Sequence, residues 1–185
     1  MAEMICGVDE AGRGPLAGPV TASAVILPRD FPVHILRDSK RLSARQRDKS
    51  ARTIKKLALD YGVGWCWPRE IDRLNIHRAT LLAMARAIAD LRLHPDLILV
   101  DGKFSPQVKY RCESVVAGDT CVREIQAASI IAKTTRDLWM VRYARIESQY
   151  GFERHKGYPT KEHRALLRVL GPSSIHRRSF KMSLI

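Results

Sequence analysis

A chain of 185 residues, 45% hydrophobic and 28% charged, is one domain long and can bury a core without metal or disulfide staples. That composition excludes both a short cross-linked scaffold and a disordered chain. The 32 Lys and Arg against 19 Asp and Glu leave a net charge of +13, so a polyanion, nucleic acid before any other, is the expected partner.

Residues 4 to 9 and 18 to 27 read as two strands joined by a Gly/Pro-rich turn. Residues 37 to 60 predict a helix with a basic outer face, with Ser43 as its N-cap. A strand over 61 to 67 and a helix over 72 to 93 follow. The unbroken apolar run of residues 97 to 101, closed by an acid, reads as a parallel strand buried on both faces. A strand over 109 to 116 precedes a long helix from about 118 to 149, with Ile125, Ala128, Ile131 and Ala132 on one side. Beyond Gly151 the chain is basic and loop-rich, with a shorter helix near 161 to 170. This order favours one mixed sheet with helices on its faces, in a single domain spanning 1 to 185.

Cys6, Cys66, Cys112 and Cys121 show neither CxxC pairing nor a His at zinc spacing, and read as small buried hydrophobes. The acidic amino terminus and the lack of any apolar run of ~20 residues point away from export and membrane insertion, toward a cytoplasm.

In a chain this basic the informative residues are acids. Asp9 and Glu10 end the first strand, Asp101 ends the buried one, and Asp119 precedes the long helix. Ligand crevices of open α/β sheets lie at the carboxyl ends of the strands, so neighbouring first and buried strands would bring three of these acids together. Bland readings exist for each: Asp119 as a helix N-cap, Asp101 as a turn before Gly102, Asp9 and Glu10 as a solvated strand end. Adjacent strand residues face opposite ways, so Asp9 and Glu10 share a site only if the backbone bends near Gly12 to Gly14. Clustered carboxylates repel until protons or a cation neutralise them, and hard oxygen ligands favour Mg²⁺ or Mn²⁺. A divalent-metal pair suits phosphodiester hydrolysis. No GxSxG, HExxH or GxxxxGK[ST] offers a rival chemistry, and Pro15 with the strand after it argues against a dinucleotide-binding turn.

GVDEAGRGPLAGPV (7 to 20), DSKRLS (38 to 43), IDRLNIHRATLLAM (71 to 84), LVDG (99 to 102), GD with AASIIAKTTRD (118 to 137), HKGYPT (155 to 160) and HRRSF (176 to 180) resemble, in order, the bacterial ribonuclease HII family. The resemblance covers nearly the whole chain, and DEAGRGP is close to diagnostic. It implies a ribonuclease H-like α/β fold with a five-stranded mixed sheet flanked by helices and a basic, helical C-terminal part from about 151. It also implies a monomeric endoribonuclease that cuts the RNA strand of RNA–DNA hybrids and incises duplex DNA 5′ of a lone ribonucleotide, leaving 3′-hydroxyl and 5′-phosphate ends. On this resemblance Asp9, Glu10, Asp101 and Asp119 are catalytic ligands of Mn²⁺ or Mg²⁺. Gly12, Arg13 and Gly14 sense the ribose 2′-hydroxyl through their backbone, and Tyr158 stacks on the sugar at the junction. Lys40 and Lys133 lie near phosphates, with Asn75 and Ser129 as neutral donors.

His176 is expected to make a structural hydrogen bond rather than ligate metal. Glu124, one turn from Asp119 where the family commonly has a small residue, is expected to face solvent. The ending KMSLI departs from the family's usual tail, and whether a sliding-clamp partner binds there is left open. Two rivals are a binding-only basic protein, which leaves the acids unexplained, and a nuclease for branched DNA, which would not need a ribonucleotide.

Overall fold

The computed structural model describes residues 3–36 and 43–180. Five strands form one sheet: β1 (Ile5–Ala11), β2 (Val20–Ile26), β3 (Asp60–Cys66), β4 (Leu97–Asp101) and β5 (Cys112–Val115), in the order β3-β2-β1-β4-β5. β1, β2 and β3 pair antiparallel, whereas β4 lies parallel to both β1 and β5. The mixed sheet and the interior parallel place of residues 97 to 101 are as expected. β5 is shorter than predicted and half exposed, because it forms the edge of the sheet.

The helices are α1 (Ala44–Leu57), α2 (Pro68–Ala89), α3 (Gly118–Cys121), α4 (Arg123–Tyr143), α5 (Phe152–His155) and α6 (Lys161–Leu170). Ser43 caps α1 as expected, accepting from the Gln46 backbone N–H while the Gln46 side chain accepts from Ser43 N–H. α2 starts earlier than predicted, at Pro68, whose missing N–H costs nothing in a first turn. It breaks at Asn75 (φ 66°), whose side-chain oxygen accepts from Arg78 N–H and so caps the second half.

The long helix predicted over 118 to 149 is two helices, α3 and α4, parted by extended Val122, and α4 ends at Tyr143. Asp119 therefore sits inside α3, whose N-cap is Ala117, and the N-cap reading of Asp119 is corrected.

Alternation along β2 separates two cores. Val20, Ala22, Ala24 and Ile26 pack with α2 residues Ile71, Ala83 and Met84, while Val25 packs with Ala51 and Ile54 of α1 and Ala127 and Ile131 of α4. Burying apolar surface on both faces at roughly 25 cal/mol per Å² is the main force holding these layers. At Gly7 a Cβ would lie 2.1 Å from the Glu124 carbonyl carbon, so glycine there lets the start of α4 lie directly on β1. That approach buries Glu124 (5% exposed), contrary to the expected solvent-facing acid; its carboxylate accepts from Arg123 Nε at 2.7 Å. Cys6 and Cys66 are buried as expected, whereas Cys121 is exposed on α3. Among the described residues no helix is long and apolar enough to cross a membrane.

The C-terminal part packs against the loop that follows β1. Leu16 N–H donates to Gly157 O, Gly18 N–H to Ile175 O and Arg177 N–H to Leu16 O, while Arg178 and Ser179 N–H are caught by the Asp72 carboxylate of α2.

Candidate active site

β1 and β4 pair in register through Val8 and Val100, and both valines face the α2 core. One residue further on, Asp9 and Asp101 are thereby turned to the α4 side at the carboxyl ends of neighbouring strands. Asp9 is 5% exposed; its Oδ1 accepts from Glu10 N–H at 2.7 Å, and the Ser129 hydroxyl of α4 donates to its carboxylate. Asp101 Oδ1 accepts from Asp119 N–H at 3.3 Å, which ties α3 to the end of β4. Glu10 receives Arg13 Nη1 at 3.4 Å.

β1 stays paired with β2 through Ala11, so no backbone bend separates Asp9 from Glu10. Glu10 nevertheless lines the same cavity as Ser129; the strand ends one residue later, at Ala11, and the chain turns at Gly12 (φ 94°). Burial pushes the Asp9 carboxyl well above the usual range, and the neighbouring charges of Glu10 and Asp101 push it further; the Ser129 and Glu10 hydrogen bonds only partly oppose them. Burial raises Glu10 as well, against the opposing Arg13 charge.

The cavity, about 450 Å³, opens beside these acids and is lined by Glu10, Gly12, Arg13, Gly14, Ser129, Lys133 and Tyr158, with Arg47 of α1 across from them. Tyr158 stands over Gly14, and the Lys133 ammonium lies 5.2 Å from its ring centre while donating to Asp137. Thus the structure gathers Asp9, Glu10, Asp101 and Asp119 into one corner and sets Gly12 to Gly14, Tyr158, Ser129 and Lys133 beside it. Asn75 is not part of the cavity lining and works as a helix cap. Lys40 lies outside the described residues.

The donors at this corner are all oxygen. Among the described residues no three His, Cys, Asp or Glu side chains close on one point as a ready ion cage. Two observations nevertheless fit a hard divalent ion: the Asp9 carboxyl is raised by the neighbouring charges of Glu10 and Asp101 on top of its burial, and the fully buried hydroxyl of Ser23, paired across the strands with Asp9, has no hydrogen-bond partner.

In the C-terminal part His155 and His163 stack, and His176 lies tilted against His163. Ser173 N–H donates to His176 Nδ1, so the proton of a neutral His176 sits on Nε2 and is donated to His163 Nε2 at 3.0 Å. His163 must then donate from Nδ1 to the Tyr158 carbonyl at 2.9 Å. Burial holds these imidazoles neutral, pushing His163 down to about 4 and His176 to about 3. The expected structural role of His176 matches this arrangement.

Sequence reasoning missed Arg136 and Arg177. Both are fully buried, and their guanidinium hydrogen bonds all go to backbone carbonyls: Pro19, Lys156 and Ala17 for Arg136, Gly18, Arg13 and Gly12 for Arg177. A signal for Arg136 was present, since it continues the apolar stripe of Ile125, Ala128 and Ala132 at helical spacing.

Comparison with known proteins gives a match to the Ribonuclease HII family model over residues 6–183. The chain is 51% identical over 176 residues to Ribonuclease HII of Nitrosospira multiformis, covering 95% of this chain and 88% of that one. Among solved structures it resembles ribonuclease H2 from Pyrococcus horikoshii (TM-score 0.82, 25% identity, 97% of this chain and 95% of that one). It also resembles the RNase HII of Archaeoglobus fulgidus, solved in a complex with PCNA (TM-score 0.81, 27% identity, 96% and 95%).

Proposed function

The chain belongs to the ribonuclease HII family, and is thus an endoribonuclease of the ribonuclease H type acting on RNA–DNA hybrids; from that premise we propose that it also incises duplex DNA 5′ of a single embedded ribonucleotide, leaving 3′-hydroxyl and 5′-phosphate ends. The observation that carries this reading is the corner where Asp9, Glu10, Asp101 and Asp119 meet beside the cavity of Gly12 to Gly14 and Tyr158. Strongly raised carboxyls have a use where a cation or a proton is to be taken up.

Asp9, Glu10, Asp101 and Asp119 would hold Mn²⁺ or Mg²⁺, a need for a divalent ion being general to the family. Such ions supply charge neutralisation and activation of water at the scissile phosphate. Asp9 next to Glu10, and Asp101 accepting from Asp119 N–H, support this assignment. Ser129, donating to Asp9, fixes one carboxylate rotamer. Lys133 draws the phosphate backbone into the cavity, and such contacts fix register without reading bases. Tyr158 packs on the sugar beside the cut. The exposed backbone of Arg13 and Gly14 meets the 2′-hydroxyl, the one group that tells ribose from deoxyribose.

The working form is a cytoplasmic monomer, and the archaeal relative's complex with PCNA makes a sliding clamp the partner class to test. Cleavage mapping on matched duplexes with zero, one and four ribonucleotides, with Mg²⁺ and Mn²⁺ in turn, tests the reading. Cuts 5′ of the lone ribonucleotide are expected, and none in all-DNA. Equal cutting of the all-DNA duplex would instead favour a structure-specific DNA nuclease.

A further inference from the structure

Arg177, in HRRSF, lies 19 residues beyond Tyr158 and had no role assigned above, yet its guanidinium sits directly under the loop of Gly12 to Gly14. Its Nη2 donates to Gly12 O at 2.6 Å and its Nη1 to Arg13 O at 3.0 Å, while Nε holds Gly18 O at 2.9 Å. Among the described residues all peptide bonds are trans, and in a trans peptide the carbonyl and the following N–H point in opposite directions. Drawing the Gly12 and Arg13 carbonyls inward onto one rigid fork therefore turns the N–H groups of Arg13 and Gly14 outward. Outward here is the cavity: Gly12 is buried, Arg13 and Gly14 are exposed, and all three line it with Tyr158. Neither N–H donates to a described residue. Arg136 closes the loop from beneath, since a Cβ at Gly12 would lie 2.1 Å from its Nε.

We propose that Arg177 is the positioning residue for ribose recognition: by gripping two successive carbonyls it aims the Arg13 and Gly14 N–H groups, in parallel, at the 2′-hydroxyl. The claim rests on the reading of the loop as a 2′-hydroxyl sensor. A lysine in its place keeps the charge but is a point donor without the planar fork, so it can hold one carbonyl and not both in fixed orientation.

The test compares binding of Asp9→Asn and Asp9→Asn/Arg177→Lys chains to two duplexes that differ only in one ribonucleotide. The first chain is expected to prefer the ribonucleotide duplex, and the second to lose about tenfold of that preference, since ~1.4 kcal/mol of hydrogen bonding is tenfold. Affinity for the all-DNA duplex should stay within about twofold, which a general loss of structure would not allow. Preference retained in the double variant overturns the role of Arg177 alone. An Asp9→Asn chain with no preference overturns the ribose reading and this role with it. Should the lysine variant not fold, ¹⁵N spectra of the Asp9→Asn chain decide: the Arg13 and Gly14 amides are expected to shift with the ribonucleotide duplex and not with the all-DNA one. Equal shifts with both would overturn the proposal.

Discussion

Two regions of this molecule bury ionisable groups, and they do it in opposite ways. In the corner at the ends of β1 and β4, Asp9 is buried beside Glu10 and Asp101, each raising its pKa, and the Ser23 hydroxyl opposite is unpartnered. In the C-terminal part and the stretch of α4 beside it, His163 and His176 are buried in a chain that uses every ring nitrogen, and Arg136 of α4 and Arg177 spend their guanidiniums on backbone carbonyls. The first region stores unfavourable electrostatics that a bound cation would relieve; the second is satisfied within the protein and holds the first in shape. Perturbed titration alone does not separate a functional site from a scaffold. What separates them is whether the polar atoms are paired.

The sharpest way to break this contrast is Asp9→Asn. Cleavage of a duplex with one ribonucleotide should fall by at least about 10³-fold, while thermal stability at pH 7 should rise by a few degrees. The sign follows from linkage: a carboxyl whose folded pKa is raised destabilises the fold above its unfolded pKa near 4, and this cost disappears as pH falls. The stability gain should therefore shrink toward pH 4, as melting curves across pH would measure. A variant less stable than the parent at pH 7 would contradict the strain assigned to this corner.

The histidines carry the opposite sign. Their folded pKa values lie below the unfolded value near 6.5, so their full contribution is present above that pH and is lost as pH falls toward 4. Chemical denaturation should show a loss on the order of several kcal/mol between pH 7 and 4. His176→Ala should cost about 2–4 kcal/mol at pH 7, a fall of roughly 5–10 °C in melting temperature, and should flatten the acid limb. The smallest effect is expected of Lys133→Met: binding weakened several-fold for ribonucleotide and all-DNA duplexes alike, with the log–log salt slope reduced by about 1.

Parts of this organisation were legible in one dimension. Residues 97 to 101 announce a buried parallel strand because an apolar run with no alternation fits only a strand covered on both faces. Ser43 announces the start of α1 through its capping chemistry. The long helix over 118 to 149 was misread because nothing in the periodicity reveals that Val122 is extended, a conformation linked to the docking of α3 onto the Asp101 carboxylate. Glu124 was misplaced because its burial depends on Gly7, more than a hundred residues away.

The sequence by itself determined the chemistry available here: a basic chain, four acids at the ends of elements, a glycine-bracketed arginine and a tyrosine after a glycine. Local propensity and side-chain pattern are properties of neighbouring residues, so they survive in the unfolded chain. Only the tertiary structure decided which acids share a corner, and that Arg177 turns the peptide planes of Gly12 and Arg13. Those facts depend on strand register and on contacts between residues 165 apart in the chain, which no local pattern encodes.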